Sequence, residues 1–199
     1  MKTCIRGLTG GIACGKSEVE KRLRHHWQIP VLDTDSLGHA LLKADSPVLS
    51  QLTETFGEDI LNKEGDVNRR LLGKKVFGDP GERTKLNDIV HPVIRSRWQH
   101  WCEQQTAPMA VVSIPLLYEC GYQSYFDGVL CIGAPESIMI QRLTSRGLDQ
   151  HEALQRIRSQ WPVKRKMELA DWVINNDFTL DHLHEQVDRW VQLNSPGTT

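Results

Sequence analysis

The chain has 199 residues, enough for one full α/β domain with insertions. Its formal net charge of −1 lacks the basic excess of a nucleic-acid binder, and no stretch is apolar enough to span a bilayer. Its 5 cysteines (Cys4, Cys14, Cys102, Cys120, Cys131) show no CxxC spacing and its 8 histidines no HExxH, which argues against a zinc site or disulfide framework and for reduced thiols in the cytoplasm.

In chain order, residues 4–9 predict a short buried strand with no signal peptide ahead of it. Gly10-Gly11-Ile12-Ala13-Cys14-Gly15-Lys16-Ser17 follows, with the Gly, four residues, Gly-Lys-Ser spacing of a phosphate-binding P-loop. Glycines let the backbone turn without a Cβ penalty, so successive N–H groups face inward as an anion nest. The amphipathic helix expected over 18–27 adds its unpaired N–H groups and the positive end of its dipole. Lys16 is placed to reach the β and γ phosphates of a nucleoside triphosphate, and the Ser17 hydroxyl to hold Mg²⁺. A helix N-terminus and Lys16 would lower the pKa of the Cys14 thiol. His25-His26 reads as an exposed cation pair ending the helix.

Residues 29–32 predict a second strand, adjacent to the first and closed by Asp33-Thr34-Asp35. From 36 to 97 the pattern is almost wholly helical: 37–44; a helix with Ser46 as N-cap and Pro47 at its first position, stopping at Gly57; a turn at 62–65; a helix capped by Asn68, carrying Phe77 and stopping at 78–81; 82–90; and a last one from His91-Pro92 to about 105. A run this long between strands exceeds a simple crossover, so it reads as a helical insertion for a phosphoryl acceptor or as structural padding. Further strands are expected at 108–114, 128–132 and 172–175. The remaining helices are expected from Pro135, from the capping box Asp149-Gln150-His151-Glu152 to about Trp161, over 162–169 and over 179–193, with a frayed tail at 195–199. Alternating β and α elements give a three-layer α/β P-loop fold with a parallel sheet. The basic run Lys164-Arg165-Lys166 reads as a solvated helix face or part of a phosphate-facing lid, and the 6 tryptophans as packing residues.

Phosphoryl transfer needs charge neutralisation, in-line positioning and an acceptor for the proton. Asp33 fits the last role, provided that Asp35 takes the helix cap. Arg142 and Arg146, four apart before the Gly147 break, either close over a triphosphate or form a solvated face. Glu119 orients Mg²⁺-bound water, contacts the acceptor, or is a surface acid; His91 binds acceptor phosphate or caps a bent helix pair. The strand at 108–114 ends without an Asp, which disfavours a motor-type ATPase, and no Asn-Lys-x-Asp is present for guanine. A kinase with another alcohol acceptor and a nucleotide-binding switch module remain as alternatives.

Taken together, Gly7-Leu8-Thr9-Gly10-Gly11-Ile12 with Gly15-Lys16-Ser17, Asp33-Thr34-Asp35, Ile89-Val90-His91-Pro92, Pro115-Leu116-Leu117-Tyr118-Glu119, Gln141-Arg142-Leu143 with Arg146, and Ala170-Asp171 with Val173-Ile174 and Asn176 resemble the dephospho-coenzyme A kinase family over nearly the whole chain. The resemblance implies ATP and Mg²⁺ as cofactors, dephospho-CoA as acceptor, no nucleic-acid or membrane partner, and a monomer or small homo-oligomer. It implies a core of 1–35, 106–141 and 170–199, an acceptor-binding insertion at 36–105 and a lid at 142–169. It also implies Asp33, Lys16 and Arg142 as catalytic residues. Gly11, Ile12, Ala13, Cys14, Gly15, Lys16, Ser17, Arg142, Arg146 and Asn176 fall to the nucleotide, with Ser17 on the metal. Asp33, His91, Leu117, Tyr118 and Glu119 fall to the acceptor. Ala13-Cys14, Thr34 and Arg146-Gly147 depart from the family pattern.

Overall fold

Strand β1, Cys4–Gly10, lies at the centre of a sheet, in a computed structural model that describes residues 2–76 and 79–195. Its later residues, from Gly7 on, are fully buried, and its neighbours are β3 (Met109–Ser113) and β4 (Val129–Gly133), both buried along their length. Continuous apolar runs of this kind suit strands covered on both faces. The β1–β3 register runs from Cys4 opposite Met109 to Leu8 opposite Ser113, and both pairings are parallel. β2 (Val31–Asp33) and β5 (Trp172–Asn175) complete the order β2-β3-β1-β4-β5. The expected adjacency of the first two strands is therefore corrected: β3 stands between them, and its Val111 N–H donates to Pro30 O at 2.9 Å.

By internal contacts the chain divides into two units, 1–32 with 105–199, and 33–104. The first holds the sheet and the helices α1 (Lys16–His25), α6 (Glu136–Thr144), α7 (Gln150–Arg158), α8 (Val163–Leu169) and α9 (Leu180–Asn194). Leu8, Val19, Leu23, Leu130, Ile132, Ile174, Leu183 and Val187 form its core. α7 opens with the expected capping box, since Asp149 accepts from Glu152 N–H and Glu152 accepts from Asp149 N–H. The stretch 142–169 is not set apart as a unit of its own.

The second unit is helical: α2 (Thr34–Ala40), α3 (Leu49–Phe56), α4 (Arg69–Val76) and α5 (Pro80–Glu103). They close on a separate core of Leu41, Leu52, Phe56, Ile60, Leu72 and Ile89. Asn68 caps α4, accepting from Arg70 and Leu71 N–H at 3.1 and 3.2 Å. Two expectations change. Ser46 is not the cap of α3, which starts three residues later behind Val48, with Ser46 Oγ accepting from Val48 N–H. The break expected at His91-Pro92 is absent, because α5 runs through it as one 24-residue helix. Pro92 removes one intrahelical donor, yet Ile89, Val90, Val93 and Ile94 keep the stripe packed on the core. Asp79 caps α5 through Gly81 and Glu82 N–H, and Pro80 takes the first turn. Phe77, Gly78 and the tail beyond 195 lie outside the described residues.

Candidate active site

The loop between β1 and α1 is held from outside by residues far along the chain. Gly15 is left-handed at φ 95°, and a Cβ there would collide with the Asn176 side-chain amide. Ala13 also adopts a left-handed φ of 60°, unusual for a residue with a Cβ. Its carbonyl accepts from Arg142 Nη1 at 3.1 Å. Arg142 Nη2 donates to Asn176 O and Oδ1, both at 3.1 Å, and Asn176 Nδ2 donates to Cys14 O at 2.9 Å. Two loop carbonyls are thus fixed by side-chain donors, while the Cys14 N–H closes the loop's own turn by donating to Gly11 O at 3.2 Å. The Ile12 N–H is occupied by Gln160 Oε1 at 3.1 Å.

Beside the loop lies a cavity of about 270 Å³, lined by Ala13, Gly15, Arg142, Arg146, Asn176 and Phe178 among others. The lining combines the charged Glu18, Arg142 and Arg146 with Phe178, which is 72 % exposed. A planar apolar group bearing anionic substituents fits such a lining.

Lys16 points along the end of β3. Its ammonium donates to Ser113 Oγ at 2.9 Å and lies 3.4 Å from Glu20 Oε1. Ser113 Oγ donates to the same carboxylate oxygen at 2.6 Å. Glu20 is buried, with Arg24 Nη2 3.7 Å from its second oxygen. Sequence reasoning missed both Glu20 and Ser113. The available signal was the one-turn spacing from Lys16 to Glu20 on α1. Ser17 is exposed one residue into the helix.

A second polar centre joins the turn after β3 to α8. Lys166 is fully buried, and its ammonium donates to Pro115 O at 2.8 Å and pairs with Glu119 Oε1 at 2.7 Å. The same oxygen accepts from Trp161 N–H at 3.0 Å. Thr9 Oγ1 also donates to Pro115 O, at 3.2 Å. Glu119 is therefore a paired interior carboxylate, not a surface acid. The basic run at 164–166 is likewise not a uniform solvated face: Lys166 turns inward and Arg165 stacks 3.7 Å over the Trp161 ring. Leu117 and Tyr118, expected toward the acceptor, are 0 % and 6 % exposed, and Leu117 packs directly on Gly7. They are packing residues of the first unit. Burial pushes the Tyr118 phenol up to about 12, and its hydroxyl has no protein partner.

In the second unit, Asp33 itself caps α2, accepting from Asp35 N–H at 3.0 Å, so the expected assignment of the cap to Asp35 is reversed. One oxygen is committed to the cap, and the residue stays half-buried. His91 lies within α5, where burial lowers its pKa while Asp88 acts weakly the other way. Cys14 is also corrected. It is fully buried, and desolvation outweighs its backbone hydrogen bonds, pushing the thiol up to about 11. The thiol is protonated and sheltered rather than activated.

A family model described as CoaE, dephospho-CoA kinase, matches residues 4–182. A dephospho-CoA kinase of Bdellovibrio bacteriovorus is 39% identical over 192 residues, covering 94% of this chain and 95% of its own. One from Enterococcus faecalis is 36% identical over 193 residues, covering 96% of both. Among solved structures, a dephospho-CoA kinase from Campylobacter jejuni superposes with a TM-score of 0.71 at 25% identity, covering 98% of each chain. A shikimate kinase from Bacteroides thetaiotaomicron, at 15% identity and a TM-score of 0.52 over 96% of this chain and 97% of its own, shares the fold. With the P-loop set between its strand and helix and the match running nearly end to end, the chain belongs to the dephospho-CoA kinase family.

Proposed function

We propose that this protein transfers the γ-phosphoryl group of ATP to the ribose 3′-hydroxyl of dephospho-CoA, giving CoA and ADP. The supporting observation is a P-loop braced by Arg142 and Asn176, beside a cavity lined by Arg146, in a chain of this family. The N–H groups of Gly15, Lys16 and Ser17 at the start of α1 and the Lys16 ammonium hold the β and γ phosphates. The adenine lies against Phe178 and Asn176. Arg142, tied to Ala13 and Asn176, fixes the loop and lends positive charge to the phosphates, while the exposed Arg146 closes over them.

Asp33 orients the 3′-hydroxyl and takes its proton late, because a largely dissociative transition state releases that proton only after bond cleavage is advanced. His91 and the helical unit bind the acceptor. Glu119 acts through structure, fixing the turn after β3 with Lys166. Among the described residues no group of three acidic, His or Cys side chains could cage a metal. The donor set suits Mg²⁺ arriving on the nucleotide with Ser17 as a protein ligand, since this ion keeps most of its water and phosphate oxygens. When bound it neutralises charge on the β and γ phosphates.

A cytoplasmic setting belongs to the same proposal and accords with free cysteines throughout; no helix is long and apolar enough to cross a membrane among the described residues. A coupled ADP-release assay tests the reading. ADP formation that depends on added dephospho-CoA is expected, and ATP turnover indifferent to the acceptor would overturn it.

A further inference from the structure

The Lys16, Ser113 and Glu20 cluster is arranged around a residue that the proposed chemistry needs elsewhere. Lys16 has to place its charge on the β and γ phosphates, yet its ammonium is engaged by Ser113 Oγ at 2.9 Å and Glu20 Oε1 at 3.4 Å. Glu20 is only 4 % exposed, so water screens this attraction poorly. Its carboxylate also holds the Ser113 hydroxyl at 2.6 Å and faces Arg24, 3.7 Å away. The acid thus stays hydrogen-bonded and cation-paired when Lys16 moves. A negative charge one helical turn from Lys16 also stands close to where a triphosphate binds, and the two repel.

We propose that Glu20 is a positioning residue that holds Lys16 in a stored arrangement and weakens nucleotide binding in proportion to the number of phosphates Lys16 must reach. The polyphosphate competes with Glu20 for one ammonium, so part of its affinity is spent on exchanging that partner. Diphosphate product meets the same competitor, so the device favours release of ADP after transfer. This role of Glu20 rests on the P-loop reading above, in which Lys16 serves phosphate.

The test is titration calorimetry of the wild-type protein and Glu20→Gln with ATP, ADP and AMP, with thermal unfolding measured alongside. Glutamine has the shape of glutamate and keeps an acceptor for Ser113, so folding is retained; Glu20→Ala, which empties the position, is the second variant. Both are expected to tighten ATP binding by about threefold to tenfold, to tighten ADP less, and to leave AMP unchanged. Because AMP has no β or γ phosphate, a general loosening or stiffening of the loop would move all three nucleotides together. Unchanged or weaker ATP binding, or an equal shift for all three, overturns the role of Glu20. Failure of the wild type to bind ATP would instead overturn the P-loop reading itself.

Discussion

Replacing Lys166 by Met probes the interior ion pair with Glu119. The lysine is fully buried and the Glu119 side chain is 15 % exposed, so the pair sits in a poorly screened setting at 2.7 Å. Lys166→Met keeps side-chain volume but leaves Glu119 charged, with only the Trp161 N–H for company on that oxygen and a second oxygen already without a protein partner. Breaking a buried pair from one side costs about 3–5 kcal/mol. For a chain of this length each kcal/mol moves the melting temperature by about 2–4 °C, so a fall of roughly 6–20 °C is expected. Glu119→Gln on top of Lys166→Met removes the stranded charge while keeping an acceptor for Trp161 N–H. The double variant should therefore recover more than half of the loss. Urea unfolding followed by tryptophan fluorescence, run as a double-mutant cycle, gives the coupling directly. A single-variant loss under about 1 kcal/mol, or a double variant no better than the single, would refute the account of a desolvated pair.

Four further outcomes follow. Asp33→Asn keeps an N-cap acceptor for α2 and so should melt within about 2 °C of wild type, yet lose most acceptor-dependent ADP release; near-normal turnover removes Asp33 from its proposed role. Cys14 should resist iodoacetamide at neutral pH until the protein is unfolded, and peptide mapping that finds native Cys14 labelled as fast as a free thiol would contradict its burial. Hydrogen bonds from Arg22, seconded by Trp27 and opposed by burial, hold the Asp188 carboxyl down to about 2, against 3.8 in an open chain. A depressed carboxyl stabilises the fold above its open-chain value and loses that effect as pH falls through its folded value. The melting gap between wild type and Asp188→Asn should then close between about pH 4 and 2, and a gap constant across that window sinks the assignment. Arg142→Ala should raise the KM for ATP about tenfold or more through the unbraced Ala13 and Asn176, and an unchanged KM would mean that the brace is dispensable.

What could be read from the sequence was what local chemistry dictates. The P-loop with its flanking strand and helix, the Asn68 cap and the capping box at Asp149 are decided within a few residues, and they stand where expected. The strand order was not legible, because β3 separates β2 from β1 through pairings that cross most of the chain. Charged partners were hidden for the same reason. Lys166 sits in a run that looks solvated, although Val163, Lys166 and Met167 already mark one helical face by their spacing. Leu117 and Tyr118 came with their motif, but a motif does not say which of its side chains turn inward. Two aspartates stand where one cap is needed; residue type does not separate Asp33 from the expected Asp35, and extended backbone geometry at Asp33 gives the cap to Asp33 instead.

The braces on the phosphate loop also bear on how the protein is made. Ala13, Cys14 and Ile12 take their partners from residues 129, 162 and 148 positions later. β1 likewise gains both neighbouring strands only after the chain has passed residue 129. A chain emerging from the ribosome presents its nucleotide motif well before the supports of that motif. The loop therefore stays an open, unbraced segment until Asn176 has emerged, and nucleotide can help the fold only after that point. Truncation ahead of Asn176 would leave the signature of the site present in sequence and absent in shape.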